Sequence, residues 1–131
     1  MQKTFLIVCL LFVCSCRQDT KTGPLKISGQ YVVGGFKVKN DIEKNTKELI
    51  SATGNANYAF NFINDEALQI VPKLGMEYFS DSVFQYRLTD KTLYLAGKNN
   101  EYIIPYTRNG GILNLYINKK GIDILQIMPL R

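Results

Sequence analysis

The amino-acid sequence predicts an all-β domain: an antiparallel up-and-down meander of about eight short strands closing into a small barrel, with one short helix. Three observations carry that expectation. From Leu25 onward apolar and polar residues alternate at period two, the spacing that buries one strand face and wets the other. Compact turn signals separate the runs, at Asn64-Asp65-Glu66, Asp90-Lys91, Asn99-Asn100, Asn109-Gly110-Gly111 and Lys119-Lys120-Gly121. Connections this short pair neighbouring strands antiparallel. A meander also has two edges, and closure into a barrel hides them most completely.

The elements follow in order. Residues 27–39 (ISGQYVVGGFKVK) read as the first strand, with Gly34-Gly35 marking a bulge or sharp bend. Residues 40–52 (NDIEKNTKELISA) break the alternation. Ile42, Leu49 and Ile50 fall at helical spacing, Asn40 or Asp41 stands where a cap belongs, and Glu43 and Lys47 form an i,i+4 pair. This predicts a short helix near residues 41–52, with a strand over 48–52 as the competing reading. Residues 57–63 (NYAFNFI) put Tyr58, Phe60 and Phe62 on one face, and residues 67–71 form the next strand, ended by Pro72. Residues 75–79 read as a short strand or a lid segment. Residues 82–88 (SVFQYRL) align Phe84, Tyr86 and Leu88, residues 93–96 follow, and residues 101–107 (EYIIPYT) align Tyr102, Ile104 and Tyr106. Two last strands, 112–118 and 122–128, close the chain. A two-sheet sandwich is the alternative architecture, but it needs longer crossovers than the sequence offers after residue 57.

Gly29-Gln30-Tyr31 in the first strand and the later run YRLTDKTLYLAGKNNEYIIPY resemble the compact lipocalin-like domains of bacterial envelope lipoproteins, over roughly residues 27–128. The resemblance implies a calyx-like barrel and binding rather than catalysis.

The N-terminus carries a separate signal. Lys3 precedes an unbroken apolar run from Phe5 to Val13, long enough for the core of a signal peptide. It is too short to span a membrane, which takes about 20 residues. All three cysteines, Cys9, Cys14 and Cys16, lie in this region. Val13-Cys14-Ser15-Cys16 resembles a bacterial lipobox with Cys16 as the modified residue; Cys14 fits less well, since the bulky Val13 would precede it. The resemblance implies removal of residues 1–15 and acylation of Cys16, and acyl chains contribute about 0.8 kcal/mol per buried methylene to membrane binding. Residues 16–26, with the polar stretch RQDTKTGP, then read as lipidated cysteine and flexible tether, and residues 27–131 as the barrel domain. The expected location is the cell envelope, lipid-anchored at the outer membrane. With the other thiols removed, neither a disulfide framework nor a cysteine metal site is expected.

Composition narrows the function classes. The whole chain has a net charge of +5, and loss of Lys3 leaves fifteen basic against eleven acidic residues. The basic residues are scattered, with Lys119-Lys120 the one adjacent pair, so nucleic acid is not an expected partner. There is no histidine, and so no commonest general base or transition-metal ligand. Asp65, Glu66, Glu77, Asp81 and Asp90 sit at or near predicted turns, where solvated carboxylates are the rule. No enzyme activity, metal or cofactor is expected.

The aromatic content is the distinctive feature: eight Tyr and seven Phe without Trp. The rings either fill the barrel or line a pocket in it. The candidate ligand-binding set is Tyr58, Phe60, Phe62, Phe84, Tyr86, Tyr102, Ile104 and Tyr106, with tyrosine hydroxyls as polar contact points. Two functions follow. The first is a lipid-anchored envelope protein holding a small apolar ligand in its barrel. The second is a structural or inhibitor-type interaction lipoprotein with a filled barrel and an envelope protein as partner.

Overall fold

The computed structural model describes residues 27–54 and 57–130. The signal peptide, Cys16 and the tether of the sequence reading lie outside the described residues. Among those described, eight strands form one closed antiparallel barrel in sequence order: β1 (Gly29–Val38), β2 (Phe60–Phe62), β3 (Ala67–Ile70), β4 (Val83–Leu88), β5 (Thr92–Ala96), β6 (Glu101–Asn109), β7 (Ile112–Leu115) and β8 (Ile122–Pro129). The meander and its closure are as the alternation predicts. β8 returns to β1 in a long antiparallel ladder from Tyr31↔Pro129 to Val38↔Ile122. That ladder shifts register between Val33 and Gly35, where the glycine pair predicts a bulge. The bulge increases the local twist and bends β1 around the barrel.

Two helices close one end. Helix α1 (Ile42–Thr53) settles the competing readings of residues 40–52 in favour of helix, and it buries Asn45, Leu49 and Ala52. Its start differs from the expected cap. Asp41 sits at φ 44° and makes no side-chain capping bond. Asn45 Nδ2 instead donates to Asn40 O at 2.7 Å and to Asn40 Oδ1 at 3.3 Å.

Helix α2 (Pro72–Phe79) corrects the reading of residues 75–79 as strand or lid. Pro72 opens the helix rather than merely ending β3, because proline's missing N–H costs nothing in the first turn. Leu74, Gly75, Tyr78 and Phe79 are buried, one face of a two-turn helix. The helix ends at Ser80, which takes a left-handed conformation at φ 60°.

The core is a single cluster of inward strand residues with the buried faces of both helices. Outward positions are mostly polar. Asn61 opposes Gln69, and Gln126 Nε2 donates to Asn114 Oδ1 at 3.1 Å across β7 and β8. A barrel that spans a bilayer turns an apolar band outward and a polar interior inward; this one is built the other way round.

Candidate functional site

The sequence points first to the barrel interior. Phe60, Phe62, Phe84, Tyr86, Ile104 and Tyr106 all face inward and are buried, Phe60 completely. Tyr102 is half-buried against the core. Tyr58 lies outside the set: it precedes β2 and is half-buried. Tyr116, also expected in a strand, follows β7 and is partly exposed.

The inward rings meet one another. Tyr31 stands edge-on to Phe62 at 5.4 Å between centroids, and Phe62 to Tyr86 at 5.1 Å. Phe60 and Phe62 stack at 6.5 Å. Phe79, carried in from α2, then touches three rings edge-to-face: Phe60 at 6.4 Å, Phe84 at 6.4 Å and Tyr102 at 5.6 Å. These are preferred aromatic geometries. Phe79 therefore fills the space that a calyx would leave open. A pocket leaves its wall residues accessible to a water-sized sphere, yet Phe60, Leu68, Ile70, Leu93, Leu115, Leu125 and Ile127 have none of their surface accessible. The described interior is filled.

The tyrosine hydroxyls serve the fold. Tyr86 Oη donates to Asn64 O at 2.7 Å and ties β4 to the β2–β3 turn. Tyr106 Oη donates to Thr89 O and ties β6 to the β4–β5 turn. Burial pushes the hydroxyls of Tyr31, Tyr86 and Tyr106 above the usual tyrosine range, so they stay neutral. Tyr78 is different. Its Oη is buried without a hydrogen-bond partner among the described residues. Burial, with Glu48 and Glu77 nearby, pushes it up to about 12.

The acidic turn residues do not converge. No cluster of three or more potential metal-ligating side chains lies among the described residues. Asp81 fastens a corner of the fold: Oδ1 accepts from Ser82 N at 2.9 Å and Oδ2 from Lys98 N at 2.7 Å. The Lys98 amide bond is the leading cause of its lowered pKa.

A site that the sequence reading passed over lies on the outer wall. β4, β5 and β6 pair in the registers Arg87↔Tyr94 and Tyr94↔Ile103, which sets these three side chains in a row across the wall. The Arg87 guanidinium lies 4.1 Å from the centre of the Tyr94 ring. Ile103 is 71% exposed and Val83, earlier on β4, 56%. With Gln85, Ala96 and Glu101 the row borders a shallow groove of about 360 Å³. The one signal in the sequence is Ile103, an apolar residue at an outward position of β6.

The described residues thus define a small, filled, antiparallel eight-stranded barrel with an aromatic core and one partly apolar wall. No protein-family model, curated protein or solved structure matches the chain.

Proposed function

We propose that this protein is a lipid-anchored interaction module of the cell envelope, built on a lipocalin-like barrel, that engages a protein partner through the outer wall of β4–β6. One observation carries the reading: large apolar side chains stand in solvent on that wall, while the rings that would have to hold a ligand are spent on one another. Arginine and tyrosine are enriched in binding hot spots, where few residues carry most of the energy, and here exposed apolar side chains stand beside them. The stacked Arg87–Tyr94 pair also presents a flat surface with little rotamer freedom to lose on binding. The envelope location rests on the lipobox resemblance around Cys16 and enters as part of the proposal.

Native mass spectrometry of the protein purified from its own host tests it. The reading expects a retained protein partner that Ile103→Glu removes without changing the circular dichroism of the barrel. A retained small molecule, or a partner indifferent to Ile103→Glu, contradicts it.

A further inference from the structure

The registers of the β4–β6 wall fix where each outward side chain stands. Arg87, Tyr94 and Ile103 form one row across the three strands, and Gln85, Ala96 and Glu101 form the next. The strands lie about 4.8 Å apart, and alternate residues about 7 Å apart along each strand. The two charges of the patch therefore occupy opposite corners, Arg87 on β4 in the first row and Glu101 on β6 in the second. Both are exposed, and neither makes an ion pair among the described residues. The guanidinium rests over the Tyr94 ring, and its N–H donors have no hydrogen-bond partner among the described residues. A guanidinium held in this way is ready to take a carboxylate by two parallel bonds.

This patch is complementary to itself. Two copies stacked wall to wall can be related by a twofold axis that lies between them and crosses the Arg87–Glu101 diagonal at its midpoint. That axis sets Arg87 of each copy over Glu101 of the other. By the same spacings it sets Tyr94 of each copy against Ile103 of the other, and Gln85 against Ala96. It passes close to Val83, the exposed apolar residue that precedes Gln85 on the same face of β4. Opposite charges meet at both corners and apolar side chains meet between them, the pattern of an isologous interface.

We infer that the partner of this wall is a second copy of the chain, docked face to face about that twofold, with Arg87 of each copy paired to Glu101 of the other. The inference rests on the proposed role of the wall as a protein-binding surface and names its occupant. An unrelated acidic partner would be met by Arg87 alone. A second copy also satisfies Glu101, because the wall carries both signs at matched corners. The exposed Ile103 of each copy then enters the groove beside Tyr94 of the other, and water leaves both apolar surfaces. A patch of three strands and two rows on a convex wall falls short of the roughly 800 Å² per partner buried in stable complexes. The dimer is therefore weak and forms as concentration rises.

Sedimentation of the full-length protein, purified from its host in mild detergent, tests this from low micromolar to near-millimolar concentration. Wild type is expected to pass from monomer to dimer. Each substitution acts twice in an isologous interface. Arg87→Glu and Glu101→Arg, which each set like charges together at both corners, should therefore weaken the dimer by roughly tenfold or more. The double variant Arg87→Glu/Glu101→Arg should recover most of that loss. An equal mixture of the two single variants should recover it too, since opposite charges again meet at both corners. Recovery by exchange separates lost pairing from misfolding. A monomer at every concentration, a dimer insensitive to both reversals, or a loss that neither exchange restores overturns the self-pairing. If the host protein that Ile103→Glu releases is then a different chain, the wall stands as a binding surface with another occupant. If Ile103→Glu releases neither a copy nor a host protein, the proposed role of the wall falls with the self-pairing.

Discussion

The aromatic residues define the energetics at the scale of single side chains. Phe60 has no accessible surface and packs against the rings of Phe62 and Phe79. Phe60→Ala is expected to cost about 3–5 kcal/mol, the range for a filled core, and urea denaturation measures it. A loss well under that range would place the ring on a cavity wall. Tyr86→Phe removes the donor to Asn64 O and should cost about 1 kcal/mol, the net worth of one such bond. Tyr78 is the opposite case. Its hydroxyl is buried with no partner among the described residues, and Tyr78→Phe should raise stability by about 1 kcal/mol, since an unpaired buried hydroxyl is itself a penalty. The same residue carries a pH signature. Its folded-state pKa is raised from 10.0 to about 12, so its contribution is complete below pH 10 and is lost as pH climbs through 10 to 12. Melting curves across that window should fall less steeply for Tyr78→Phe than for wild type. Equal slopes would mean that the hydroxyl is hydrated.

At the scale of elements, the strands were legible in the sequence and the closing of the barrel end was not. Alternation marks one buried face per strand, which is why β4 and β6 lie close to where the pattern of Phe84, Tyr86, Tyr102, Ile104 and Tyr106 places them. Helix α2 escaped because eight residues are too few for a helical period to repeat, and because Pro72 stops a strand as readily as it opens a helix. With it went Phe79, the residue that turns a calyx into a core. The outer-wall row escaped for another reason: Arg87, Tyr94 and Ile103 lie on three strands, and only the register brings them together. The tip between β7 and β8 is the sharpest test at this scale. Gly121 has φ 75°, and a Cβ there would lie 1.9 Å from Asn45 Nδ2, where α1 docks on the hairpin. Gly121→Ala should undock α1 and expose Leu49, lowering the melting temperature. The double variant Gly121→Ala/Asn45→Ala should recover part of the loss, since it relieves the closest clash though neither the 2.6 Å approach to Asn40 Oδ1 nor the backbone strain. Gly97 makes a similar close approach, its would-be Cβ 2.8 Å from the Phe84 ring; alanine there presses on the core rather than on a helix.

For the whole molecule, the described barrel has separate faces: a helix-closed end, the opposite end where β1 begins, and a partly apolar wall between them. Cys16→Ala should release the protein from membranes while its circular dichroism stays unchanged, and radiolabelled palmitate should enter wild type and not the variant. Equal labelling of both would remove the anchor from the account. The claim on which the rest depends is that the barrel is full. A fluorescent fatty acid titrated into wild type and into Phe79→Ala tests it most directly, because removing that ring opens an apolar space of the kind that takes up small hydrophobic guests. The account predicts no saturable binding by wild type and measurable binding by the variant, provided its near-ultraviolet spectrum shows a folded core. Saturable one-to-one binding by wild type, displaced by unlabelled fatty acid, would contradict it and return the protein to the ligand carriers.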